Sequence, residues 1–118
     1  MRTFYSLKSC NTCQRIQREL DLPSSVRIVN IKEEPLTVEV VERMKKLSGS
    51  YEALFSKRAQ LYKKRNLKEK KLSEEDYRAL LLEHYTFLKR PVLIYHENIF
   101  IGNSKAVVAA AKKWMDEH

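Results

Sequence analysis

The strongest constraint on the fold of this chain is a change of hydrophobic period that occurs twice within residues 1–31. Arg2-Thr3-Phe4-Tyr5-Ser6 is rich in β-formers and leads into Leu7-Lys8-Ser9-Cys10-Asn11-Thr12-Cys13, after which Ile16 and Leu20 continue from Cys13 at helical spacing. Leu22-Pro23-Ser24-Ser25 then ends the helix. Val26 to Ile31, alternating Val26, Ile28 and Asn30 with Arg27, Val29 and Ile31, reads as a short and largely buried strand. A β-α-β start of this kind calls for a parallel strand pair joined by a right-handed crossover.

From Pro35 the period becomes helical. Val40, Val41, Met44 and Leu47 make one apolar stripe, with Thr37 as N-cap and Gly49 as stop. A second stripe runs through Leu54, Phe55, Leu61 and Tyr62, and places Arg58 on the inward side of that helix or snorkelling to its rim. A third helix opens at Ser73-Glu74-Glu75-Asp76 and carries Tyr77, Leu80, Leu81, His84 and Leu88 on one side. Lys63–Lys71 is nearly all charge and is expected to be exposed. Val92-Leu93-Ile94-Tyr95 and Asn98-Ile99-Phe100-Ile101 read as strands around His96-Glu97. Gly102-Asn103-Ser104 then starts an amphipathic helix with Val107, Val108, Ala111, Trp114 and Met115. Trp114 and Tyr77 read as core anchors, and His84 as a core or rim residue without catalysis. This order is that of an α/β, thioredoxin-like domain with a mixed four-stranded sheet. Residues 1–118 form one domain, with a helical insertion of about residues 35–90 between strands 2 and 3.

Composition narrows the function classes. The apolar share is 43%, and no apolar run approaches the ~18 residues of a membrane span. The N-terminus lacks the pattern of a signal peptide, so a cytoplasmic location is expected. The net charge of +8 is regional: residues 43–72 hold eleven Lys or Arg and two Glu, or +9, leaving −1 elsewhere. Such a block attracts anions and acidic partners, but no nucleic-acid reading motif accompanies it, and direct nucleic-acid binding is not expected.

The two cysteines are three residues apart, a spacing that suits thiol chemistry better than a permanent bridge in a reducing compartment. Cys10 falls where strand gives way to helix, facing unpaired N–H groups and the positive end of the helix dipole, with Lys8 nearby; all three favour the thiolate. Cys13, one turn on, can attack a mixed disulfide on Cys10. Simple packing of both cysteines at a helix start is the alternative. A zinc site needs two further ligands, and His84, His96 and His118 show no ligand spacing, so no metal is expected. In a thioredoxin-like frame the loop before strand 3 faces this motif and brings Arg90 beside the thiol. Two arginines converging there could hold an oxyanion or a peptide carboxylate.

Phe4-Tyr5 followed by Cys10-Asn11-Thr12-Cys13, Ile31-Lys32-Glu33-Glu34-Pro35-Leu36, Ser56-Lys57-Arg58 and Leu88-Lys89-Arg90-Pro91-Val92-Leu93-Ile94 together resemble the arsenate reductase-like (ArsC/Spx) family, over essentially the whole chain. That family includes glutaredoxin-dependent arsenate reductases and the Spx transcription regulators. The resemblance implies Cys10 as nucleophile, with Arg58 and Arg90 as anion holders; Cys13, which the spacing makes a resolving thiol, departs from the many arsenate reductases of the family that rely on an external thiol. It also implies Asn11 and Thr12 at the anion site and Pro91 as a cis-proline beside the thiol. It further implies no tightly bound cofactor, electrons from glutathione with glutaredoxin or from thioredoxin, and a small oxyanion or disulfide substrate. By the Spx branch, it implies instead a redox-sensing contact with the RNA polymerase α subunit's C-terminal domain. Two further departures stand out. Ile101-Gly102-Asn103-Ser104-Lys105 lacks the third arginine of the arsenate reductases, and Gly49 lies nine residues before Arg58, away from the contact glycine of the Spx regulators.

Overall fold

A computed structural model describes residues 1–118. In chain order it contains β1 (Arg2–Ser6), α1 (Asn11–Leu20), β2 (Arg27–Asn30) and α2 (Val38–Ser48). A 3-10 turn (Glu52–Leu54) leads to α3 (Gln60–Lys64), and a second (Leu67–Glu69) to α4 (Glu74–Glu83). A third (Tyr85–Phe87) precedes β3 (Val92–Tyr95), β4 (Asn98–Ile101) and α5 (Lys105–Glu117). The chain divides into two compact units, Met1–Glu34 with Arg90–His118, and Pro35–Lys89.

The first unit is a mixed sheet in the order β2-β1-β3-β4. β1 runs parallel to β2, with Phe4 opposite Ile28, and antiparallel to β3, with Phe4 opposite Leu93; β3 and β4 are antiparallel around the His96-Glu97 turn. Phe4, Leu93 and Tyr95 from the sheet meet Ile16 and Leu20 of α1 and Ala111 of α5 in one core, against which Trp114 and Met115 also pack. Helical spacing in α1 and α5 puts these apolar side chains on one face each. Ser104 caps α5 by accepting the Val107 N–H at 3.2 Å. β2 departs from expectation: Val26, Val29 and Ile31 are buried, but Ile28 is 45% exposed because β2 is a sheet edge.

In the second unit, Thr37 caps α2 by accepting the Val40 N–H at 3.2 Å, and Gly49 ends it at φ +94°. Val41 and Met44 are its buried stripe. The single helix expected through Leu54–Tyr62 does not form. Phe55 is extended and bridges Leu88; the Ser56 N–H donates to Phe87 O at 2.7 Å and the Lys89 N–H to Leu54 O at 2.8 Å. Those backbone groups are therefore unavailable to a helix, and α3 is confined to five residues. Phe55 instead stacks on Phe87 at 5.3 Å and packs against Tyr77 at 4.8 Å. Apolar spacing that looked helical serves an aromatic cluster. α4 opens with a reciprocal cap, Ser73 Oγ accepting the Asp76 N–H and the Asp76 carboxylate accepting the Ser73 N–H. It ends before Leu88, at His84, whose Nδ1 accepts the Thr86 N–H. Lys63–Lys71 is exposed apart from Leu67, which is buried. No helix is long and apolar enough to cross a membrane.

Candidate functional site

β1 delivers the chain to a short loop in which the Cys10 N–H donates to Leu7 O at 2.9 Å, and the Gln14 N–H then donates to Cys10 O at 3.1 Å. Cys10 thus occupies the N-cap of α1, extended at φ −94° and ψ 112°. Side chains at this position normally satisfy an orphan N–H of the first turn. The neutral thiol forms no such cap. Its ionised sulfur, however, has the amides of Thr12 and Cys13 to receive it.

Both thiols are free, Cys10 half-buried and Cys13 buried. Burial pushes the Cys10 thiol up, but the Cys13 amide, the Cys13 thiol, the Arg90 guanidinium and the Thr12 amide outweigh it and hold Cys10 below the ordinary thiol range. Cys13 moves the other way. Burial, reinforced by the neighbouring Cys10, raises it, with partial relief from the Leu7 backbone and the Ser6 side chain. Two thiols one helical turn apart are therefore set apart in acidity, Cys10 the readier to ionise and Cys13 the readier to keep its proton.

Around this pair the first unit gathers Thr12, half-buried, and Asn11, exposed, from the opening turn of α1, together with Arg90, half-buried, from the loop before β3. The Arg90–Pro91 peptide bond is cis, Pro91 is buried, and its carbonyl accepts the Gly102 N–H at 2.9 Å. Lys8 is exposed and is not among the leading influences on Cys10. Arg58 belongs to the second unit, where it stands in an exposed turn between Ser56 and α3 and not on an inward helical face. That expectation failed for the same reason as the helix that carried it. Ser6 has no mark in the sequence beyond being a hydroxyl at the end of β1, yet it is 2% exposed and acts on Cys13. No group of three or more His, Cys, Asp or Glu side chains could hold a metal ion.

A four-stranded β2-β1-β3-β4 sheet with a Cys-x-x-Cys pair opening α1 and a cis-proline before β3 defines a thioredoxin-like protein. Residues 5–111 match the ArsC family, and the chain belongs to it. Among its relatives is the global transcriptional regulator Spx of Bacillus subtilis, 26% identical over 106 residues, spanning 86% of this chain and 79% of Spx. An ArsC family related protein from Bacteroides fragilis superposes with a TM-score of 0.79 at 23% identity, covering 93% of this chain and 96% of that one. The arsenate reductase from Vibrio cholerae gives 0.77 at 20% identity, with coverage of 93% and 96%.

Proposed function

We propose that this protein is a cysteine-dependent reductase of a disulfide or a small oxyanion, with Cys10 attacking and Cys13 resolving. The observation that carries this reading is the placement of two free thiols one helical turn apart, Cys10 half-buried at the N-cap of α1 and Cys13 buried behind it, an arrangement that favours ionisation of Cys10 over Cys13. With a disulfide substrate, the Cys10 thiolate attacks one sulfur, the substrate S–S bond breaks, and the first thiolate leaves. Cys13 then loses its proton and attacks Cys10 Sγ, so that the second substrate thiol departs with that proton and a Cys10–Cys13 disulfide remains. Two electrons have passed to the substrate, and an external thiol, glutathione with glutaredoxin or thioredoxin, returns them. With arsenate, Cys10 displaces water from arsenic, and Cys13 attack on Cys10 sulfur releases arsenite. Arg90, whose charge already favours the Cys10 thiolate, would receive the anionic part of the substrate, beside the amides of Thr12 and Cys13. No tightly bound cofactor is needed.

The test is NADPH oxidation dependent on arsenate, and separately on a small disulfide, coupled to glutathione with glutaredoxin or to thioredoxin. Cys10→Ala is the control. Turnover that disappears in Cys10→Ala supports the reductase. No turnover with either substrate or donor, from protein whose Cys10 is reduced and alkylatable, sinks it.

A second reading is favoured by the Spx relatives and by the charge of the second unit. Lys63, Lys64, Lys68, Lys70 and Lys71 are exposed and form no ion pair, so they could meet an acidic protein surface. In that reading, Cys10–Cys13 oxidation changes affinity for a partner such as the RNA polymerase α subunit, and no substrate is turned over. Binding of that subunit that differs between reduced and oxidised protein would favour it.

A further inference from the structure

Ser6 closes β1 with its backbone committed: its carbonyl accepts the Ile31 N–H at 2.9 Å, and its Cα is in register with Asn30 of β2. Its side chain is 2% exposed, and Oγ meets no hydrogen-bond partner of good geometry in the fold. Buried hydroxyls are rarely left so, because desolvation is uncompensated; a native orphan asks for a reason. The side chain it acts on is Cys13, itself 0% exposed. A neutral thiol is a weak acceptor, whereas a thiolate is a strong one, and an O–H donated to an anion forms one of the stronger hydrogen bonds available. The orphan is therefore satisfied in the one state that burial otherwise opposes, the ionised Cys13.

We propose that Ser6 is a positioning residue for the resolving step, its hydroxyl donating to Cys13 Sγ as that sulfur ionises to attack the mixed disulfide on Cys10. The inference rests on the reading of Cys13 as the resolving thiol. In the step, the Cys13 S–H proton passes to the departing thiolate, the Cys13–Cys10 S–S bond forms, and the bond from Cys10 to the substrate sulfur breaks. Ser6 keeps its own proton throughout. It lowers the cost of placing a negative charge where no water reaches.

The experiment uses the reduced full-length protein and one equivalent of the aromatic disulfide 5,5′-dithiobis(2-nitrobenzoate), followed by stopped-flow absorbance. The first thionitrobenzoate is released when Cys10 attacks and the second when Cys13 resolves. Ser6→Ala should leave the first phase unchanged, slow the second about tenfold, and move its pH midpoint upward by about one unit. Ser6→Thr, which restores the hydroxyl, should return both. A second phase unaltered in Ser6→Ala overturns the proposal, as does a Ser6→Thr protein as slow as Ser6→Ala, which would assign the defect to packing. A wild-type protein without a second phase, or Cys13→Ala with one, removes the resolving role of Cys13 itself and is told apart by that control.

Discussion

In the first compact unit four strands pair continuously, from Thr3 with Arg27 on one side to Val92 with Ile101 on the other, whereas the second has a single isolated bridge, Phe55 with Leu88. The second keeps its shape through an aromatic cluster and through side chains that cap backbone. Phe55 lies against Phe87, Tyr77 and Tyr62, and the Glu74 carboxylate accepts the N–H groups of Tyr51 and Glu52 at 2.8 and 3.1 Å. The difference matters for chemistry. A continuous ladder fixes the ends of its strands, so groups hung from them, Ser6 at the end of β1, Cys10 after it and Arg90 before β3, hold set positions. A cluster of short turns around aromatic rings constrains its interior and leaves its outer surface free to carry unbalanced charge.

The comparison breaks most sharply at its two central phenylalanines. Phe55→Ala and Phe4→Ala each remove a ring that is fully buried and should each cost about 3–5 kcal/mol in urea unfolding. Their effects on Cys10 should differ. The groups acting on that thiol, Cys13, Arg90 and Thr12, all belong to the first unit. Phe4→Ala loosens the seat of α1 against the sheet and should move the pH midpoint of Cys10 alkylation up toward the ordinary thiol range. Phe55→Ala should leave it where it is. Equal shifts in the two variants would show that the second unit bears on the thiol as strongly as the first.

Ser73→Ala removes half of the reciprocal cap of α4 and should lower stability by about 1 kcal/mol. The loss should narrow as pH falls below the carboxylate range. Asp76 is held below its usual value by the Ser73 backbone and hydroxyl, so its contribution is present above the unfolded value and fades on protonation. Urea midpoints of both proteins across acid pH measure this.

How much of this was legible in the sequence follows the same division. The sheet strands, the caps at Thr37, Ser73 and Ser104, and the stop at Gly49 were readable because each rests on a local rule: alternation, an oxygen at the N-cap, a left-handed glycine. The helix through Arg58 was not, because Phe55 and Leu88 are thirty-three residues apart and their bridge overrides local spacing. The exposed Ile28 was missed because strand order, which makes β2 an edge, is not a local property. At the candidate site, the placement of Cys10 at a helix start was legible from the change of period. The buried hydroxyl beside Cys13 was not, since no pattern distinguishes a buried serine in a strand from a solvent-facing one.

Arg90→Ala should raise the Cys10 alkylation midpoint, and by less in high salt, because the guanidinium acts on a half-buried sulfur through a field that ions screen. The thiols also predict opposite pH responses of stability in the reduced protein. Cys10 is depressed by folding, so its contribution is complete above the ordinary cysteine value of about 8.5 and is lost as pH falls through its folded value. Cys13 is raised, so its contribution is complete below about 8.5 and is lost as pH rises through its folded value. Comparison of wild type with Cys10→Ser and with Cys13→Ser should therefore give stability differences of opposite slope. Parallel slopes would remove the differentiation on which the proposed chemistry stands.

The smallest effect is expected where the sequence is most conspicuous. Replacing Lys63, Lys64, Lys68, Lys70 and Lys71 with Gln removes five charges and takes the formal net charge from +8 to +3. None of these lysines makes an ion pair, and the segment is anchored instead by buried Leu67 and by Arg65, which pairs with Glu83 and lies over the Phe87 ring at 5.6 Å. The stability change should therefore stay within about 0.5 kcal/mol. Its sign should be positive at low ionic strength, because relieving repulsion among like charges favours the compact state, and the gain should vanish in salt. A clear loss of stability would mean that these charges serve the fold. An unchanged fold with weakened binding to an acidic partner would place their role on the surface, as the contrast between the two units requires.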